Sequence, residues 1–155
     1  MSVVDRVFTR IGASDRILEN KSTFFVELEE TKTILDQATR HSLVIMDELG
    51  RGTSTFDGYS IAYSVIEHMI KKIGCRTLFT THYHMLVDDY KVLQDEKKLA
   101  LYHMKSEYDS ETNHLKFLYK FAPGYAPKSF GIFVAQLAGI NENVVKIANR
   151  KSDQF

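Results

Sequence analysis

This 155-residue sequence is short of cysteine, of net charge and of long apolar runs. Its single cysteine, Cys75, excludes an intramolecular disulfide framework and fits a reducing compartment. The formal net charge is zero, so the overall charge gives no indication of nucleic-acid binding. No stretch approaches the length of a membrane span, and we therefore expect no membrane partner.

The composition is that of an ordinary folded domain. Hydrophobic residues make up 44% and charged residues 26% of the chain, a balance that distinguishes globular from disordered sequences. A chain of this length is also long enough to bury a sizeable core. We therefore expect at least one folded unit with its own apolar interior.

One stretch combines a buried element with residues that can do chemistry. Four apolar residues, 43–46, follow one another without polar alternation, which is typical of a parallel-sheet strand buried on both faces. Asp47 and Glu48 come next, at the strand end where ligands bind in open parallel sheets. One carboxylate there can hold Mg²⁺, and the other can orient or deprotonate a water molecule. On these residues alone, a strand that ends in a solvated acidic pair remains the alternative.

A second strand is predicted after the next helix. Asp57 is a candidate N-cap for that helix and Gly74 a candidate stop, and residues 77–80 form the strand. The predicted apolar stripe of the helix is made by Ile61, Ala62, Val65, Ile66, Met69 and Ile70. The resulting βαβ unit is predicted to bring His82 to the sheet edge that carries the two acids.

The amino-terminal part predicts a strand and a long helix. Residues 3–9 form the strand, and residues 15–21 form a surface loop. Ser22 or Thr23 can cap the helix that follows. Its predicted apolar face is made by Phe24, Leu28, Leu35 and Ala38, flanked by Val26 and Ile34. Its predicted solvated side carries Glu27, Glu29 and Glu30.

The pattern changes beyond the βαβ unit. Residues 83–86 predict a turn or short helix, and the charged residues 88–98 predict a surface excursion. Residues 99–108 and 114–121 are predicted to pair as an antiparallel hairpin, because apolar and polar side chains alternate in the second of them.

Two short helices are predicted at the carboxyl end. They cover residues 130–138 and 142–153, with Gly139 as the stop of the first and Asn141 as the cap of the second. Together they form a helix-turn-helix-like element. The residues predicted to face inward are Val134, Leu137, Val144, Val145 and Ile147.

Several stretches of the sequence resemble the ATPase domain of MutS-type DNA mismatch-repair proteins. They follow the family's order along nearly the whole chain and are DRVFTRIGASD (5–15), STFFVEL (22–28), MDELGRGTST (46–55), THY (81–83) and KSFG (128–131). Two further features, Arg16-Ile17 and FLYKF (117–121), are most similar to the eukaryotic sixth MutS homologue.

The resemblance implies an α/β fold that is part of a P-loop NTPase of the ATP-binding-cassette class. It implies a parallel sheet, a hairpin and a carboxy-terminal helix-turn-helix element. Residues 1–125 would be the carboxy-terminal part of the ATPase domain, and residues 126–155 a helix-turn-helix dimerisation element. The parent protein would convert ATP and water to ADP and phosphate, and would couple this reaction to recognition of mismatched DNA.

The resemblance also implies roles for the residues at the strand ends. Asp47 would hold Mg²⁺, mostly through water, Glu48 would polarise the attacking water, and His82 would sense the γ-phosphate of ATP. Tyr119 falls where the family often places a ring against adenine. Without the resemblance, His82 is more simply a satisfied polar residue and Tyr119 a core residue.

Five more positions would face the partner subunit. Ser22, with Thr23, matches a signature at a helix start that contacts the partner's nucleotide, where free N–H groups and the helix dipole suit a phosphate. Thr53, Ser54 and Thr55 would lie in a loop that crosses the dimer seam. On the residues alone, Ser22 can be no more than an N-cap.

The phosphate loop of such ATPases, Gly-x-x-x-x-Gly-Lys-Ser/Thr, does not occur in this sequence. In the family it lies upstream, so the chain is expected to be the carboxy-terminal part of a longer protein. Without the loop's N–H groups and lysine, the isolated chain is expected neither to bind ATP with useful affinity nor to hydrolyse it.

Partners and alternatives follow from the same resemblance. A second MutS-family subunit and a nuclear location are expected, with mismatched duplex DNA bound by regions outside this sequence. A non-catalytic dimerisation module remains an alternative function. A DNA-binding helix-turn-helix at residues 130–153 is another, because its second helix carries Lys146, Arg150 and Lys151.

Overall fold

The structure is a computed structural model that describes residues 3–12, 22–95, 98–109, 114–126 and 129–154. The predicted loop at residues 15–21, and positions 13–17 and 128 of the family resemblance, lie outside the described residues. Contacts within the chain define two compact units, residues 1–99 and 100–155. The hairpin thus belongs with the terminal helices, and the predicted boundary between residues 125 and 126 does not coincide with this division.

The first unit contains a parallel sheet of three strands. They are β1 (Val7–Arg10), β2 (Leu43–Asp47) and β3 (Arg76–Thr80), in the order β1-β2-β3. Both pairs are parallel, and the register places Asp47 opposite Thr80. The predicted parallel sheet is confirmed, and so is the convergence of the second and third strand ends at one edge.

The central strand has one fully buried face. Val44 and Met46 alternate along β2 and have 0% of their surface exposed, whereas Leu43 and Ile45 on the other face are half-buried. The buried residues of this core cluster are Ile34, Val44, Met46, Leu49, Val65 and Met69. The prediction of burial on both faces is therefore wrong for the second face, because a run of apolar residues does not say what covers each side.

The first helix, α1 (Thr23–Gln37), begins at an N-cap. The side chain of Ser22 accepts a hydrogen bond from the backbone N–H of Phe25 at 3.2 Å, which confirms one of the two predicted caps. The buried residues of the helix are Val26, Glu27, Thr31 and Ile34. The predicted apolar face is confirmed in part, because Val26 and Ile34 are buried and Leu35 and Ala38 pack against the core. It missed two polar residues, Glu27 and Thr31, which occupy the other buried positions.

The second helix, α2 (Thr55–His68), begins at a different cap from the one predicted. Ser54 is the N-cap: its hydroxyl oxygen accepts from the backbone N–H of Asp57 at 3.2 Å. A π-helical turn, Met69–Ile73, extends α2, and Gly74 ends it with a left-handed φ of 67°. The predicted stop is confirmed, and Asp57 takes the position three residues inside the cap.

A third helix, α3 (Met85–Asp95), follows the sheet. Leu86 and Tyr90, four residues apart, are buried against Ala62 and Tyr83. The predicted surface excursion is therefore wrong over residues 88–95, because its charged residues flank a narrow apolar stripe. None of the helices in the described ranges is long and apolar enough to cross a membrane.

The second unit confirms the predicted hairpin and helix pair. Strands β4 (Tyr102–Asp109) and β5 (His114–Pro123) are antiparallel, with a register shift between Met104 and Ser106. Helices α4 (Gly131–Leu137) and α5 (Glu142–Ser152) follow, and the Asn141 side chain caps α5 through the N–H of Asn143 at 2.9 Å.

The predicted interior of the helix pair is largely wrong. Among the five apolar residues predicted to face inward, Val145 is buried. The exposed ones are Val134, Leu137, Val144 and Ile147. Helices of 7 and 11 residues share too little surface to bury all their apolar side chains against each other.

We expect Met46→Ala to lower the free energy of unfolding by about 2–5 kcal/mol, because a fully buried side chain is replaced by a cavity. Leu78→Ala is the control, since Leu78 lies on the neighbouring strand but is 58% exposed. Its expected loss is below about 1 kcal/mol. Equal losses in denaturant unfolding followed by circular dichroism would contradict the assignment of the core to the Val44 and Met46 face.

Candidate functional site

The ends of β2 and β3 are joined by hydrogen bonds. The hydroxyl of Thr80 donates to Oδ1 of Asp47 at 2.5 Å. The backbone N–H of Glu48 lies 3.1 Å from the carbonyl oxygen of Thr80 and 3.2 Å from its hydroxyl oxygen. Both acids of the predicted site are thus held at the tip of the sheet.

The backbone of Glu48 is left-handed. Its φ of 49° is uncommon for a residue with a side chain and costs about 1–2 kcal/mol. The conformation is stabilised on both sides: Glu48 donates to Thr80, and its carbonyl oxygen accepts from the N–H of Arg51 at 3.3 Å. Leu49, the next residue, is fully buried. The surrounding contacts therefore fix the direction in which the Glu48 side chain leaves the sheet.

The Glu48 carboxylate pairs with Arg51. Nη1 of Arg51 lies 2.5 Å from Oε2 of Glu48, but the Arg51 side chain is 74% exposed. Exposed ion pairs contribute about 0–1 kcal/mol. Water or a ligand can therefore replace Arg51 at little energetic cost, and Glu48 remains accessible for chemistry.

A buried carboxylate connects α1 to the loop that follows Glu48. Glu27 contacts Nη2 of Arg10 at 3.1 Å through Oε2, and its Oε1 accepts from the N–H of Gly50 at 2.5 Å. Arg10 also donates to the carbonyl of Gly12. The predicted solvated position of Glu27 is wrong, because its charge is paired inside the unit. The sequence gives little indication of this ion pair, because Arg10 ends a strand and its partner Glu27 lies on another element.

Two glycines and a tyrosine allow this loop to pack closely on α2. Gly50 has a φ of 91°, and a Cβ atom there would lie 2.5 Å from the carbonyl oxygen of Gly58. A Cβ atom on Gly58 would collide with the Tyr83 hydroxyl. That hydroxyl donates to the carbonyl of Gly50 at 2.8 Å. Neither glycine can be replaced without moving the loop.

The two acids line a cleft of about 190 Å³. The described residues that line it are Arg10, Gly12, Thr23, Glu27, Asp47, Glu48, Arg51 and Gly52. The cleft thus brings together Thr23, Asp47 and Glu48 of the predicted site. Glu27 and the two arginines are additions that the sequence interpretation did not include.

The remaining predicted residues of the first unit lie around these elements. His82 follows β3 at the edge that carries Asp47; it is exposed, and its ring centroid lies 4.1 Å from that of Tyr83. Ser22 and Ser54 are both exposed helix caps. Beside Ser54, Thr53 is half-buried and Thr55 begins α2.

Tyr119 belongs to the second unit, in β5. Its φ of 52° is left-handed, and 82% of its surface is exposed. The alternative of a core residue is therefore wrong, while the role against adenine stays a prediction.

Comparison with known proteins identifies relatives that all belong to one family. The chain matches the family model described as MutS domain V over residues 1–155. It is 49% identical over 160 residues to DNA mismatch repair protein Msh6 of Homo sapiens, which covers 100% of this chain and 12% of that protein. It is also 49% identical over 151 residues to DNA mismatch repair protein MutS of Roseiflexus sp. (strain RS-1), covering 96% and 14%. The chain therefore spans only a small part of these relatives.

We expect Tyr83→Phe to lower the free energy of unfolding by about 1–3 kcal/mol at neutral pH, because the buried carbonyl of Gly50 loses its donor. Burial raises the pKa of the Tyr83 phenol, and the charge of Glu27 raises it further. A raised pKa stabilises the fold fully below the unfolded value of about 10 and loses this effect as the pH rises through the folded value. The wild type should therefore lose stability more steeply than the variant above about pH 10.

Urea unfolding at a series of pH values measures both effects. Tyr102→Phe is the matched control, since Tyr102 is exposed on the hairpin. If Tyr83→Phe matched this control at neutral pH, the hydrogen bond to Gly50 would contribute nothing.

Proposed function

Because this chain belongs to the MutS family of DNA mismatch-repair proteins and is similar to Msh6, we propose that it forms part of an ATPase that couples ATP binding and hydrolysis to recognition of mismatched DNA. One observation carries the proposal: Asp47 and Glu48 lie on a cleft at the tip of a parallel sheet, joined to the strand that leads to His82. This arrangement supports a nucleotide site of the P-loop NTPase class. The proposed activity is that of a protein as long as these relatives, of which this chain spans 12% and 14%.

Asp47 is the proposed Mg²⁺ residue. Its carboxylate accepts a hydrogen bond from Thr80 and has lone pairs for another contact. Within the described ranges, no group of three or more His, Cys, Asp or Glu could hold a metal. Asp47 therefore fits an ion that keeps most of its water, as Mg²⁺ does in nucleotide sites. When bound, Mg²⁺ would neutralise charge on the phosphate oxygens.

Glu48 is the proposed residue that orients and polarises the attacking water. A carboxylate can accept a proton from water, and its fixed backbone restricts where that water sits. Exchange of the exposed Arg51 for water would free Oε2 for this contact. His82, on the neighbouring strand end, is proposed to donate a hydrogen bond to the γ-phosphate.

The starts of α1 and α2 are proposed to face a second MutS-family subunit. The first turn of each helix has backbone N–H groups that suit a phosphate, and Ser22 caps one of these turns. Ser22 and Thr23 would contact the partner's nucleotide, and Thr53 to Thr55 would lie at the seam. This assignment requires a partner subunit and an ATP site shared between the two subunits. The simplest such assembly is a heterodimer.

The second unit is proposed to serve assembly. Exposed apolar residues run along its helix pair: Val134, Leu137, Ile140, Val144 and Ile147. This surface favours a dimerisation role, the second candidate function. The DNA-binding alternative has less support, because Lys146 pairs with Glu142 at 2.7 Å and Lys151 donates to Gln154. Mismatched DNA would bind elsewhere in the parent protein, and Tyr119 would contact adenine. A nuclear location is proposed from the similarity to eukaryotic Msh6.

We expect Glu48→Gln in the complete protein to lower ATP turnover by about 100-fold or more while ATP binding persists, because an amide cannot take up a proton. Single-turnover hydrolysis and nucleotide-binding titration measure the two effects. Glu67→Gln is the matched control, since Glu67 pairs with Lys71 on the outer side of α2. Retained turnover in Glu48→Gln would remove Glu48 from its role.

We expect the isolated 155-residue chain to show no micromolar binding of MgATP in isothermal titration. The reason is that the sequence contains no phosphate loop to supply a cradle of N–H groups and a lysine. A longer chain that includes such a loop is the positive control. Micromolar binding by the isolated chain would contradict the proposed division of the site.

A further inference from the structure

The geometry points to Glu27 as a positioning residue for hydrolysis. Through Glu27, a shift of the helix start at Ser22, which is proposed to face the partner subunit, would displace the loop that carries Glu48. The inference rests on the proposed function of Ser22 and Glu48. It goes beyond it, because Glu27 contacts neither nucleotide nor water in that scheme.

The first argument is burial. Glu27 and Arg10 have side chains that are only 6% and 5% exposed, and they form an ion pair at 3.1 Å. A charge in such a place is costly unless it is paired and hydrogen-bonded. The Glu27 carboxylate is therefore held in one position by a strong contact on the strand side.

The second argument is the contact with Gly50. Oε1 of Glu27 accepts from the N–H of Gly50, two residues after Glu48, and the Tyr83 hydroxyl donates to the carbonyl of the same residue. Both polar backbone groups of Gly50 are thus fixed by buried side chains. A hydrogen bond to a charged acceptor is stronger than a neutral one. The loop position that follows Glu48 is therefore set by Glu27 together with Tyr83.

The third argument is the place of Glu27 on α1. A helix rises 1.5 Å per residue, so Glu27 lies about 7–8 Å along the axis from Ser22. A second contact reinforces the link: a Cβ atom on Gly52 would lie 3.0 Å from Cβ of Phe24, so the loop already touches the first turn of the helix. A shift of the helix start would therefore move the loop with it.

Glu30 provides the comparison that separates positioning from simple charge pairing. It also pairs with Arg10, at 3.3 Å from Nε, and its side chain is 40% exposed. Its contacts in the structure include no hydrogen bond to Gly50 among the described residues. Removing Glu30 weakens the pairing of Arg10, whereas removing Glu27 also releases the loop.

The experiment compares three variants of the complete protein assembled with its partner subunit. Glu27→Ala should lower kcat for ATP about 10- to 100-fold with KM nearly unchanged, because a small displacement of a catalytic group is enough for such a loss. Glu27→Gln should restore most of kcat, since its amide oxygen can still accept from Gly50. Glu30→Ala should leave kcat close to the wild-type value.

The proposed coupling between Ser22 and Glu27 is tested by measuring kcat for the two single variants and for the double variant. If Glu27 transmits contact at Ser22, then Ser22→Ala should lower kcat less in the Glu27→Ala background than in the wild type. Additive losses would overturn the transmission. If Glu27→Ala does not fold, Glu27→Gln combined with Tyr83→Phe tests the same loop, and wild-type kcat in that double variant would overturn the positioning.

Failure of this inference can be distinguished from failure of the proposed function. A kcat for Glu27→Ala no lower than for Glu30→Ala would overturn the inference, and so would a Glu27→Gln variant as slow as Glu27→Ala. Neither result would touch the proposed ATPase function, which fails only if the complete wild-type protein does not hydrolyse ATP. Retained turnover in Glu48→Gln would remove only the role of Glu48.

Discussion

The hydrogen bond between Thr80 and Asp47 is the contact on which the candidate site depends. It joins two parallel strands whose register pairs the same two residues, so the strand ends cannot slide without breaking it. A slip by one residue would also turn the buried Met46 toward the other face of the sheet. The position of the acids is therefore secured by core packing as well as by hydrogen bonding. The candidate site and the stability of the sheet therefore depend on the same contacts.

The loop beyond the acids stores strain that the core stabilises. Glu48 has a left-handed backbone, and Gly50 approaches Gly58 more closely than any side chain would allow. Full burial of Leu49 between them opposes relaxation of the loop. Strained residues persist only where surrounding contacts over-determine them, and they concentrate at functional sites. This strain is best understood as the cost of directing Glu48 out of the sheet.

The sequence allowed the sheet and its acids to be predicted, because an unbroken apolar run followed by Asp47 is a local signal. The N-cap at Ser22 could also be predicted, because its signal lies in neighbouring residues of the sequence. Glu27 was not predictable in the same way: its charge suggested a solvated position although its spacing places it on the same face of α1 as Ile34, and its partners Arg10 and Gly50 come from other elements. Choosing Ser54 over Asp57 as the cap required the hydrogen-bond geometry, since both residue types serve as caps.

The charges of the cleft explain why these residues alone would make an incomplete site for the proposed nucleotide. Arg10 lines the cleft, but its charge is shared between Glu27 and Glu30, and Arg51 is paired with Glu48. A triphosphate approaching Asp47 and Glu48 would therefore meet net negative charge. A divalent cation at Asp47 reverses the sign locally. In the proposed function, further positive groups and N–H donors are still required, so the acids would become useful only where another segment and a partner helix start supply them.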